Sequence, residues 1–195
     1  MADNGLTAGE QERRREWFRE HWAKGVPFNK HCALEVLQWD AEAVEVFLPY
    51  AEELSAHTGI FHGGVVAALL DTTASGAVLA GHDFAKGSRL TTISMSVQYL
   101  SVAPGEDLRA IGRCTRRGRS VHFAEAQAVG AASGKVVATG QVAVNIAGER
   151  PGAPWVLGGP SVLEAARIGD SVMVDVLVGC PSGTASMPRG SAGGR

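Results

Sequence analysis

The chain has little cysteine, almost no net charge and no uninterrupted apolar run of membrane-spanning length, and each shortage narrows its possible functions. Cys32, Cys114 and Cys180 are the only cysteines in 195 residues and show no paired spacing. An odd, unclustered set predicts reduced thiols in a cytoplasmic setting rather than a disulfide framework. Lysine and arginine number 18 against 20 aspartate and glutamate, a formal net charge of -2, which offers no electrostatic footprint for nucleic acid. The most apolar stretches are broken by Asp, Glu or Arg before they reach spanning length. The first residues are polar, without the apolar region of a secretory signal. There is no P-loop, dinucleotide fingerprint or G-x-S-x-G elbow. H-E-x-x-H spacing is missing, as is a cysteine pair, so no metal site is expected. The expectation is a soluble cytoplasmic domain with neither nucleic acid nor membrane as partner.

What is present reads as a globular α+β chain. Thr7 with Glu10 has the form of a capping box, opening an amphipathic helix to about Lys24 with Phe18 and Trp22 on one face. Pro27 is expected to end it. From Cys32 the period changes to two. "ALEVLQWD" and "AVEVFLPY" alternate around an Asp40-Ala41-Glu42 turn, predicting a hairpin. "RLTTISMSVQYL" alternates too, with Ile93, Met95, Val97 and Tyr99 facing one way and Thr92, Ser94, Ser96 and Gln98 the other. "DLRAIGRCT", "SVHFAEAQAV" and "KVVATGQVAVNI" follow, separated by short turns. A buried helix followed by an antiparallel meander is the predicted order. From about Gly148 the composition turns to Gly, Pro, Ala and Ser, which predicts a poorly ordered appendage. Three segments are thus expected: a helical lead over 1–27, a core domain over 28–147 and a tail over 148–195.

Between the hairpin and the long strands lies "HTGIFHGGVVAALLD", His57 to Asp71. With Gly63 opening a helix and His62 near its N-cap, apolar residues cover every face, as in a buried helix. Its first N–H groups lack intrahelical partners, and glycines let a ligand approach them closely. Such an end suits a developing oxyanion. Asp71 lies two turns on, where an ionised carboxylate is costly unless paired or used. It is either a hydrogen-bond anchor or a base or nucleophile acting near a carbonyl. Ser75 falls one turn further on roughly the same face. Gly63 and Asp71 are separated by about 12 Å along one helix axis. If both act on one atom, they come from two antiparallel copies, which predicts a dimer with paired sites.

The order of "HTGIFHGGVVAALLDTTASGA", "LTTISMSVQYLSVAPGEDL" and "RRGRSVHF…ASGKVVATGQVAV" resembles the hotdog-fold acyl-CoA thioesterases, in the phenylacetic-acid-degradation (PaaI-like) branch, over about Phe28 to Ile146. The resemblance implies a long helix wrapped by an antiparallel sheet, assembled as a homodimer or homotetramer. It implies hydrolysis of an acyl-CoA thioester with no separate cofactor, coenzyme A being part of the substrate. By position, Asp71 is the base or nucleophile and the Gly63 N–H polarises the carbonyl with His62 beside it. Thr92 helps hold water, as does Ser75. Arg117 and Arg119 are placed for the nucleotide phosphates, or belong to a solvated turn. One position departs from the family: Ala56 stands where an Asn is usual, with His57 and Thr58 as neighbours. That departure motivates an alternative, a non-catalytic acyl-CoA-binding module on the same fold.

Overall fold

The computed structural model describes residues 5–156. Helix α1, Ala8–Lys24, starts where its cap dictates: Thr7 accepts the Glu10 N–H while the Glu10 carboxylate reaches back to Thr7. Phe18 and Trp22, one turn apart, are its buried residues. Gly25, not Pro27, caps its end. Pro27 instead opens the short helix α2, Pro27–His31, because a first helical turn needs no N–H from it.

Strands β1, Glu35–Trp39, and β2, Val44–Leu48, form the expected hairpin. Asp40 closes it by accepting the Glu42 and Ala43 N–H groups. A small pair unforeseen from the pattern, β3, Ser55–His57, and β4, Ile60–Phe61, leads into the long helix α3, Gly63–Ala80. Four long strands follow: β5, Leu90–Tyr99; β6, Leu108–Arg117; β7, Val121–Gly130; and β8, Val136–Ile146.

All sheet pairings are antiparallel, in the order β1-β2-β6-β7-β8-β5. The successive meander expected from the short turns therefore needs correction. Strand β2 occupies the edge of β6 that a meander would give to β5, and β5 lies instead at the far edge beside β8.

The sheet wraps α3 closely. A Cβ added at Gly112 would lie 2.7 Å from the Thr73 carbonyl oxygen, so this contact requires glycine. Helix α3 is long and apolar enough to cross a membrane by length and composition alone. Here its apolar surface is the centre of the core, with Leu69, Leu70, Val78 and Leu79 essentially without solvent contact. Its C-terminal carbonyls are all accounted for. Arg117 donates to Ala77 and Val78, Arg15 donates to Ala80, and the Gly81 and His82 N–H groups bond to Leu79. Two guanidinium groups at that end also oppose the helix dipole favourably.

The described parts of both flanking segments pack against the central domain. Phe18 and Trp22 belong to the same apolar cluster as α3 and the sheet, so the N-terminal helix shares the core. At the other end, residues 149–156 pack onto α1. Glu149 accepts from Arg14, Ser88 and Trp155. The Trp155 ring stands edge-on to Trp17 at 5.1 Å, and Ala153 is buried. The rest of the Gly/Pro-rich tail lies outside the described residues.

Candidate active site

His62 is extended (φ -61°, ψ 134°) and caps α3, its Nδ1 accepting the Gly64 N–H at 2.9 Å. With Nδ1 an acceptor, the proton of the neutral ring is assigned to Nε2. The His62 carbonyl accepts from Val65 at 2.9 Å and Val66 at 3.2 Å. That carbonyl shares a peptide unit with the Gly63 N–H, which makes no hydrogen bond among the described residues. Two bonds to the oxygen polarise the amide and strengthen its remaining donor. On the other side of Gly63, the Tyr99 hydroxyl donates to the Gly63 carbonyl at 2.7 Å. The result is one unengaged N–H at the positive end of an apolar helix, with glycine leaving its approach open.

Asp71 sits further along α3, half-buried. The Thr92 hydroxyl donates to its Oδ1 at 2.9 Å, and the Ser75 hydroxyl approaches the same oxygen at 3.5 Å. Both donors therefore converge on one oxygen, leaving Oδ2 unengaged among the described residues. Burial pushes the carboxyl above its ordinary range, and the two hydroxyls oppose that rise. An oriented carboxylate with one unengaged oxygen and raised basicity can accept a proton or attack a carbonyl.

The contact from Thr92 corrects the alternation read from the sequence. That pattern put Thr92 on the face opposite Met95 and Tyr99. A bulge lies between Thr92 and Ser94 in the pairing of β5 with β8. Thr92 pairs with Val144, Met95 with Val142 and Tyr99 with Ala138, all inward partners. The extra residue restarts the pleat, so Thr92 joins Met95, Val97 and Tyr99 on the helix side. Without it the hydroxyl would face away from Asp71.

A further set of anchors went unread in the sequence. The Trp22 indole N–H donates to the Thr72 carbonyl at 3.0 Å. The Thr72 hydroxyl donates to Asn29 Oδ1 at 3.3 Å, and Asn29 Nδ2 donates to the Trp22 carbonyl at 2.7 Å. Helices α1 and α2 are thereby tied to the residue following Asp71. Trp22 was legible only as an apolar side chain, and nothing local marked Asn29, which is 4% exposed. Tyr99 was legible as a strand residue, but its hydroxyl contact with Gly63 spans 36 positions.

The two arginines fall at the other end of α3 from Gly63. Arg117 is committed to helix carbonyls at 2.6 and 3.2 Å, which is neither of the roles weighed for it. Arg119 is exposed at the β6–β7 turn, and Ala56 is exposed on β3. Among the described residues no cluster of three or more His, Cys, Asp or Glu is placed to hold a metal ion.

A helix wrapped by this sheet, with a polarised amide at its start and a carboxylate two turns on, defines the class: the fold is the hotdog fold. Residues 58–137 match the model of the thioesterase superfamily, and that domain carries Gly63, Asp71 and Thr92. Human acyl-coenzyme A thioesterase 13 is 30% identical over 91 residues, which is 46% of this chain and 63% of the human protein. The chain thus spans less than two thirds of that relative's length. A solved thioesterase-superfamily relative from Shewanella oneidensis is 26% identical, covers 70% of this chain and 97% of its own, and superposes with a TM-score of 0.59. Zebra fish thioesterase superfamily member 2 shares the fold at 23% identity, covering 73% of this chain and 99% of its own with a TM-score of 0.56.

Proposed function

We propose that this chain is an acyl-CoA thioesterase whose two active sites form between the chains of a homodimer. The observation that carries the reading is Asp71. It is a desolvated carboxylate, the one charged side chain of α3, held through one oxygen by Thr92 and Ser75. A merely structural aspartate would gain most by engaging both oxygens. The family match and the distant likeness to an acyl-CoA thioesterase agree with this choice of reaction.

Within one chain Gly63 and Asp71 lie too far apart to share an atom, so a second copy must complete each site. Strand β5 supports that assembly. It has a neighbour on one side alone, and Ile93, Met95 and Tyr99 on it are 56%, 40% and 55% exposed. Met95 and Tyr99 face the helix side yet stay uncovered, and an unpaired apolar edge is costly in water. Two such edges meeting antiparallel bring the amide of one protomer to the carboxylate of the other.

In the proposed reaction the thioester carbonyl oxygen accepts the Gly63 N–H, with His62 beside it. Asp71 of the other protomer takes a proton from water through Oδ2 while the water oxygen bonds to the carbonyl carbon. The carbon–sulfur bond then breaks, and the coenzyme A thiolate leaves and is protonated. Attack by Asp71 itself, followed by hydrolysis of the mixed anhydride, uses the same atoms. No further cofactor enters either route. Arg119, exposed at the β6–β7 turn, is the arginine left free for nucleotide phosphates in this reading, since Arg117 is occupied by α3.

The test is coenzyme A release from an acyl-CoA panel by the wild type and Asp71→Asn. Asparagine keeps the shape but accepts no proton, so turnover falls on the order of 10²-fold or more. Equal rates would remove Asp71 from the mechanism. Ala56, lacking the side-chain amide usual there, favours a second reading as an acyl-CoA-binding module. Tight calorimetric binding without any release of coenzyme A over hours would select that one.

A further inference from the structure

Between Gly64 and Gly76, every hydrogen bond from α3 to another element falls on Asp71 or Thr72 among the described residues. Thr92 holds Asp71 from β5. Trp22 and Asn29 hold Thr72 from α1 and α2, the indole at its carbonyl and the amide at its hydroxyl. Most other side chains of that stretch pack into the apolar core, and such packing is non-directional. Directional control over α3 at the carboxylate is therefore confined to these few bonds.

The Trp22 contact has its own way in. Gly76 lies one turn beyond Thr72, and a Cβ there would stand 3.1 Å from Trp22 Nε1 and 3.0 Å from the Trp39 ring. Glycine is unfavourable inside a helix, and here its missing side chain admits the indole to the backbone. Asn29 closes the arrangement by donating to the Trp22 carbonyl at 2.7 Å. Trp22 and Asn29 are both buried, and a closed, satisfied set of bonds in the interior resists displacement more than one bond does.

Small displacements matter at Asp71. Thr92 donates to it at 2.9 Å, and about 0.7 Å more would carry that contact past hydrogen-bonding distance. Oδ2 would lose its aim in the same movement, and misplacing a reacting group by about 1 Å can cost on the order of 10²-fold in rate.

We propose that Trp22 and Asn29 are positioning residues for Asp71, holding Thr72 so that the carboxylate meets Thr92 through Oδ1 and presents Oδ2 to the reacting water. Helices α1 and α2 lie outside the family match over residues 58–137, yet they become part of what aims the carboxylate. The proposal rests on the thioesterase reading for the water and its reaction. The placement of the carboxylate itself is independent of that reading.

Trp22→Phe keeps a ring but lacks the indole N–H, and Thr72→Val keeps the shape but lacks the hydroxyl. Phe18→Leu, one turn before Trp22 on the same helix, loosens the core and leaves these bonds in place. Carbon-13 NMR of the Asp71 carboxyl, assigned through Asp71→Asn, follows its titration without turnover. Among the described residues no charged group shifts that titration, so it reads burial and the two hydroxyls. Both bond-removing variants should move it to higher pH and lower kcat about tenfold, with KM within about twofold of wild type. Phe18→Leu should lower the melting temperature and leave both readings unmoved, and thermal melts establish that each variant folds. An unmoved titration in the folded bond-removing variants, or an equal shift in Phe18→Leu, would overturn the proposal. So would an unchanged kcat in them where Asp71→Asn is slow. The expected titrations, with turnover unaffected by Asp71→Asn, would leave the positioning standing and sink the thioesterase mechanism instead.

Discussion

At the scale of single residues, function and stability pull against each other at Asp71. Its pKa is raised in the folded chain because burial disfavours the charge more than two hydroxyls favour it. A carboxyl whose folded pKa exceeds its unfolded value binds its proton more tightly when folded. Its ionisation therefore costs stability as the pH rises through the unfolded pKa and on past the folded one. Asp71→Asn removes that cost at neutral pH, so the inactive variant should melt above the wild type, as differential scanning calorimetry would show. A lower melting point would mean that the carboxylate is a structural anchor. Thr92 works in the opposite sense. Its hydrogen bond lowers the Asp71 pKa, so Thr92→Val lets that pKa climb further. The acid limb of the kcat/KM profile should then move to higher pH, with the rate at alkaline pH less affected. An unmoved limb would place the titrating group elsewhere.

At the scale of elements, the short stretch after β8 matters more than its composition suggests. The Gly and Pro around it predict a poorly ordered appendage. Glu149 and Trp155 instead tie that stretch to α1 and to Ser88. Arg14 also lies over the Trp155 ring at 4.8 Å. Truncation after Gly148 should therefore lower stability, and Trp155→Ala alone should cost about 1–3 kcal/mol in urea unfolding. A truncated chain as stable as the full one would show the docking to be incidental. The β5 bulge is the other element-scale device. One extra residue re-aims Thr92 while leaving the apolar row below it on the helix side.

At the scale of the whole molecule, the edge strand links assembly to chemistry. Met95 faces the helix side of β5 and is 40% exposed in the single chain. Met95→Glu puts a charge into the proposed junction, where its desolvation is unfavourable. Light scattering should then report a monomer, and acyl-CoA turnover should disappear with the dimer. A monomeric variant that still releases coenzyme A would exclude a site shared between chains.

Much of this fold is written in short-range pattern. The capping box at Thr7 and Glu10, the period-two runs of β1, β2 and β6 to β8, and the largely apolar helix after the Gly-Gly pair need only neighbouring residues to be read, and so does the placing of His62 at a helix start. The site residues were legible as residue types in order, while their partners were not. The sheet order depends on which edge of β6 another strand takes, and the face of Thr92 depends on its register against β8. Arg117 read as a phosphate contact or a solvated turn residue until α3 was seen to deliver its carbonyls there. Asn29, Tyr99 and Trp155 make contacts across 36 or more positions, beside the shorter ones of Asn29 to Trp22 and Trp155 to Glu149. Local periodicity reflects the backbone's own geometry and survives in a sequence. A hydrogen bond between distant segments exists only once packing has brought them together.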